Sequence, residues 1–105
     1  MGARERRRGA AAERELAAIL SDWLGVAIKR NLGQERDSGS DLTTGRVRWE
    51  VKRHERLSVM EWCKQAQKSA KDHEIPIVAF RQDGEEWRCV LRLRDLLPLL
   101  REEVK

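Results

Sequence analysis

With 105 residues, 38% of them charged and 40% hydrophobic, the chain has room for one domain with a modest core beneath a densely charged surface. Its formal net charge of +4 favours an anionic partner, nucleic acid foremost. No apolar run approaches the roughly 18 residues that a membrane span needs, and no apolar stretch of secretory type follows the basic segment 1–8. These features describe a cytoplasmic protein without a membrane partner, a single domain over residues 1–105 with 1–8 as a flexible basic arm. Cys63 and Cys89 stand alone and occupy apolar positions, so both read as buried free thiols in a reducing compartment. His54 and His73 lack ligand spacing, and a zinc site is not expected.

In chain order, residues 9–24 form the first expected helix. Ala12, Leu16, Ile19, Leu20 and Trp23 share one face, and Gly25 is placed to end it. Glu13 lies beside that stripe and Glu15 on the far side. Glu13 is either a surface glutamate paired with a basic neighbour or the acid that reaches inward from the helix start. Val26 to Asn31 alternates as a short strand. The polar stretch from Leu32 to Ser40 is a loop; with Arg30 just before it, Gln34 and Arg36 are either placed for phosphates or simply solvated.

The next segment carries most of the chemistry. Val47, Trp49 and Val51 alternate with Arg48, Glu50 and Lys52, the period of a strand with one apolar face. Thr44-Gly45 marks a tight turn just before it, so Asp41 sits on a short segment that returns alongside. Two carboxylates then converge near one ammonium. Such oxygen donors suit a hard cation like Mg²⁺, and a lysine beside them can orient water or offset charge on a phosphate. Taken alone, the Glu50–Lys52 pair reads equally as a surface ion pair.

A second helix opens at Ser58, where Ser58-Val59-Met60-Glu61 fits a capping box and Leu57 with Trp62 a hydrophobic staple. Its core face is Val59, Trp62, Cys63, Ala66 and Ala70, with Gln65 off that stripe and Lys64, Lys68 and Lys71 along a basic flank. Ile75 to Phe80 is a continuous apolar strand of central type. Asp83-Gly84 turns the chain into a returning strand, with Trp87, Cys89, Leu91 and Leu93 on one face and Arg88, Arg92 and Arg94 on the other. That arginine stripe either meets DNA or serves solubility. A last helix spans 95–103, with Asp95 as its cap and Pro98 in its first turn. The order of elements is that of an α/β fold, a mixed sheet of about five strands flanked by helices.

Three segments carry a resemblance: Arg8-Gly9-Ala10-Ala11-Ala12-Glu13-Arg14-Glu15-Leu16, Gly39-Ser40-Asp41-Leu42 and Trp49-Glu50-Val51-Lys52. In this order they resemble the archaeal-type Holliday-junction resolvases, which are PD-(D/E)XK, or restriction-endonuclease-like, nucleases; compact phage or prophage relatives look similar. Ile75 to Phe80 and Glu86-Trp87-Arg88 are similar to that family's closing hairpin, so the resemblance spans nearly the whole chain. Asp41 and Glu50 are closer together than in the archaeal enzymes.

The resemblance implies a restriction-endonuclease-like sheet and a catalytic set of Glu13, Asp41, Glu50, Lys52 and Gln65. Asp41 and Glu50 would hold the metal with the Val51 carbonyl, Glu13 would complete or tune the site, and Lys52 would be the catalytic lysine. It also implies Mg²⁺, for which Mn²⁺ substitutes, a homodimer, and branched DNA as substrate. Candidate DNA contacts are Arg7, Arg8, Arg14, Arg30, Arg36, Arg88 and Arg92. The alternatives are a general nicking or end-processing nuclease of the same fold, and a non-catalytic DNA-binding module.

Overall fold

The computed structural model describes residues 3–32, 41–53 and 57–103, with the side chains of 3–8 excepted. In chain order the elements are α1 (Ala3–Leu24), β1 (Leu42–Thr44), β2 (Val47–Lys52), α2 (Val59–Ser69), β3 (Ile75–Phe80), β4 (Arg88–Val90) and α3 (Leu93–Glu103). They form an α/β fold of restriction-endonuclease-like type. One mixed sheet has the order β1-β2-β3-β4 and carries three helices. The hairpin strands β1 and β2 pair antiparallel, with Leu42 opposite Trp49 and Thr44 opposite Val47. The two-residue connection Gly45-Arg46 needs a glycine, since φ at Gly45 is +55°. β2 and β3 run parallel, so α2 is the crossover between them. β4 returns antiparallel on β3.

The sheet has four strands, not about five. Residues 26–32 join no ladder, and two of their main-chain donors are bonded outside the strands of the sheet. Ile28 N–H donates to the Ser21 hydroxyl at 3.0 Å, and Asn31 N–H to the Asp41 carbonyl at 2.9 Å.

β3 is interior, as its apolar run implies, and it contains a proline. Ile75 N–H bonds the Arg46 carbonyl and Arg81 N–H the Lys52 carbonyl, so odd-numbered residues of β3 face β2. Pro76 therefore faces the β4 side, where β4 ends opposite Val78 and no donor is missed.

The two faces of the sheet hold separate cores. Leu42, Val51 and Ala79 pack under α1 with Ala12, Leu16 and Ala17, and Trp49 and Trp87 close the edges. Val78 packs under α2 with Trp62 and Ala66, flanked by Val59, Cys63, Phe80 and Val90. On α1 the buried set is Ala12, Glu13, Leu16 and Ala17, with Leu20 partly covered, whereas Trp23 is 85% exposed and Ile19 37%. At about 100° per residue this face is turned by roughly 50° from the apolar stripe. The rotation brings Glu13 into the buried face; Trp23 shares the azimuth of Ala12 and Leu16 and is exposed in the last turn of α1, past the buried stretch 12–17.

Several local expectations shift. α1 starts at Ala3, so most of the segment read as an arm is helical. Ser58 is the N-cap of α2, but at φ −127° and ψ 56° its side chain makes no capping bond, and Leu57 stays exposed. Cys89 is exposed and Cys63 half-buried; both are free. β4 stops at Val90 and the chain turns directly into α3. The Arg92 carbonyl accepts from Asp95 and Leu96 N–H, so Asp95 lies inside the helix and Pro98 in its second turn. No helix among the described residues is long and apolar enough to cross a membrane.

Candidate active site

The chemistry gathers where β1 begins beside the end of β2. Asp41 N–H donates to the Trp49 carbonyl at 3.0 Å, while its carboxylate Oδ2 accepts the Val51 N–H at 2.9 Å. A side-chain oxygen therefore replaces the ladder acceptor that β1 no longer supplies. This fixes the Asp41 carboxylate against the β2 backbone. Odd-numbered residues of β2 direct their main-chain groups toward β1, so the Val51 carbonyl points to the same edge as Asp41. Asp41 is 7% exposed and Glu50 6%.

Glu50 and Lys52 project from the face of β2 that α2 covers. Lys52 Nζ lies 3.2 Å from Glu50 Oε1 and donates to Gln65 Oε1 at 3.2 Å. The parallel pairing with β3 holds both residues in register, Glu50 opposite Val78 and Lys52 opposite Phe80. The α2 position expected to lie off the core stripe thus meets the lysine. Burying two carboxylates is costly unless each is partnered; Lys52 faces Glu50, and the Val51 N–H meets Asp41.

Glu13 is 2% exposed and does not point to bulk solvent. Its Oε1 accepts from Arg30 Nε at 2.9 Å. Arg30 precedes Asn31, whose main chain is bonded to Asp41, so the Glu13–Arg30 pair is linked to the site through two consecutive residues.

Asp41, Glu50 and the Val51 carbonyl are hard oxygen donors of the kind that hold Mg²⁺. Among the described residues no group of three or more His, Cys, Asp or Glu could hold a metal. A cation here would therefore depend on two carboxylates and main chain, with water completing its shell, as Mg²⁺ commonly does.

The candidate DNA contacts divide. Arg14 is exposed on α1. Arg30 is engaged by Glu13, and Arg92 by Asp95 at 2.8 Å. Arg88 is exposed, with only a 3.8 Å approach to Glu85. The stripe of Arg88, Arg92 and Arg94 on one strand is not formed, because α3 begins before Arg94 and breaks the period-2 alternation. The side chains of Arg7 and Arg8, together with Gln34, Arg36 and His54, lie outside the described residues. Lys64, Lys68 and Lys71 are all exposed.

Sequence reasoning missed Glu15. Its carboxylate accepts from Arg81 Nε at 3.0 Å and Nη2 at 3.1 Å, and from Trp87 Nε1 at 3.0 Å. The Arg81 guanidinium also lies 5.8 Å from the centre of the Trp87 ring. Because the Arg81 N–H is bonded to the Lys52 carbonyl, this clamp ties α1 to the strand end that carries the lysine. The partners lie 66 and 72 residues along the chain, so no local pattern announces them.

The hydrogen bond from Arg81 holds the Glu15 carboxyl below its ordinary value of 4.5, against partial burial that raises it. A depressed carboxyl contributes stability above its unfolded pKa and loses it as pH falls through the folded value. Glu15→Gln should therefore lower stability at pH 7 by about 1 kcal/mol, the pair being partly exposed. Thermal melting of both proteins checks this: the gap should narrow as pH drops below the ordinary carboxyl value. A gap independent of pH would remove the ionic contribution.

A family model described as phage putative PDDEXK endonuclease matches residues 4–104. Neither a curated protein nor a solved structure matches the chain.

Proposed function

This chain belongs to the phage PDDEXK endonuclease family, and we propose from that premise that it is a Mg²⁺-dependent endonuclease cutting four-way DNA junctions as a homodimer. The observation that carries the reading is the buried pair Asp41 and Glu50, with Lys52 3.2 Å from the Glu50 carboxylate. A purely DNA-binding protein has no use for acids buried where phosphates must approach, which weighs against the non-catalytic alternative.

Asp41, Glu50 and the Val51 carbonyl would hold the cation. When bound, Mg²⁺ supplies Lewis acidity at the phosphate and lowers the pKa of water. Lys52 orients the attacking water and offsets charge accumulating on the phosphate oxygens. Gln65 accepts from Lys52 and holds its ammonium in position. Glu13 with Arg30 tunes the site from the α1 side, through the residue adjoining Asn31. DNA binding by Arg14, Arg88 and the N-terminal arginines would weaken steeply with salt as counterions are released.

Two nicks across a junction call for two sites, and a C2 pair supplies both. Helix α3 supports that arrangement: none of its residues is buried, and Leu93, Leu97, Leu99 and Leu100 are 66, 51, 46 and 43% exposed. The deciding experiment is cleavage of a synthetic four-way junction beside nicked, flapped and linear DNA, with and without Mg²⁺, together with sedimentation at micromolar concentration. Paired symmetric nicks in the junction and a dimeric species are expected. Single nicks in all substrates by a strictly monomeric protein would replace junction resolution with the general nicking reading.

A further inference from the structure

Between α1 and the segment 28–32 lies a groove of about 400 Å³, lined by Arg14, Ala18, Ile28, Lys29, Arg30 and Leu32. Its chemistry is mixed. Ala18, Ile28 and Leu32 form an apolar surface, and Leu32 is 57% exposed. Arg14 and Lys29 are exposed at the rim. Contact with the backbone of a continuous duplex uses cations and hydrogen-bond donors and has no need of an apolar floor. A nucleotide that has left its stack presents both halves, a phosphate for the cations and a base face for the apolar surface.

The groove's position gives that occupant a role. Its wall is anchored by Ile28 N–H on the Ser21 hydroxyl and by Asn31 N–H on the Asp41 carbonyl. Asn31 Nδ2 also donates to Thr43 Oγ1 at 3.0 Å, tying the same wall to β1. The groove's wall is therefore hydrogen-bonded to Asp41, the residue that heads the candidate active site.

We propose that this groove receives an unpaired nucleotide of the DNA strand next to the scissile phosphate, so that the preferred substrate carries unstacked or single-stranded DNA at the point of cleavage. The proposal rests on the nuclease reading above and adds the substrate feature that the site selects.

The test compares binding of a labelled single-stranded oligonucleotide and of a blunt duplex of equal length, by fluorescence anisotropy in EDTA so that no cleavage intervenes. Ala18→Met fills the groove without altering charge or adding an aromatic face, and Leu32→Ala removes part of its apolar surface. Both positions are exposed, and circular dichroism verifies the fold. Ala18→Met should weaken single-strand binding about fivefold, the scale of one lost apolar contact of about 1 kcal/mol, and leave duplex binding within about twofold. Leu32→Ala should show the same selectivity with a smaller loss. Equal losses on both DNAs, or single-strand affinity unchanged in both variants, overturn the proposal.

Cleavage with Mg²⁺ run in parallel separates the two readings. Selective binding without any cleavage upholds the groove and removes the nuclease activity. Cleavage without selectivity overturns the groove alone.

Discussion

Asp41→Asn and Glu50→Gln should each lower DNA cleavage by about a thousandfold, the equivalent of roughly 4 kcal/mol of transition-state stabilisation. The expectation follows from the arrangement at the sheet edge. Both carboxylates are buried, and the Asp41 carboxylate is held against β2 by the Val51 N–H. Asparagine keeps an oxygen that can accept that bond, so Asp41→Asn removes charge while preserving the local backbone. DNA affinity measured without metal should stay the same or rise, because each substitution removes a negative charge facing phosphate. A variant that cleaves at a near-normal rate would take its residue out of the metal-binding role.

Lys52→Ala should cost about a hundredfold or more in kcat with little change in KM, since its ammonium acts on charge that develops only in the transition state. The geometry makes the effect separable from metal binding. Lys52 contacts the Glu50 carboxylate from one side and Gln65 from the other. Its loss leaves Asp41 and Glu50 with less neutralisation, so affinity for the divalent cation should hold or increase. Gln65→Ala should give a smaller loss of kcat, of several-fold, because Lys52 keeps its charge and loses only an exposed restraint of about 1 kcal/mol. A Lys52→Ala enzyme with unchanged kcat and a raised KM would make the lysine a DNA contact, not a catalytic group.

Much of this arrangement was legible in the chain because it depends on short-range periodicity. The alternation from Val47 to Lys52 places Glu50 and Lys52 on one face whatever the rest of the fold does. The turn at Gly45-Arg46 sets Asp41 beside them, and the short run Ile75 to Phe80 fits a strand covered on both sides. Binary pattern and turn chemistry are local, and the structure follows them at these positions. The same locality misled at the chain's other end. A period-2 reading carried the returning strand through Arg94, but a helix begins at Leu93 and the arginine stripe dissolves.

What only the tertiary structure decided is how separate elements are turned toward one another. The sheet selects which face of α1 is buried, and it takes in Glu13, against hydrophobicity, where Arg30 meets the carboxylate and offsets its desolvation. Glu15 finds Arg81 and Trp87 across most of the chain, and residues 28–32 are held to Asp41 and Ser21 without ever becoming a strand. Sequence by itself determined the strand that bears the acid and the lysine, because a side chain's direction along one strand is set by the backbone. It could not determine the rotation of a helix on a sheet or the partner of a distant charge, because those are settled by packing and electrostatics between segments far apart in the chain.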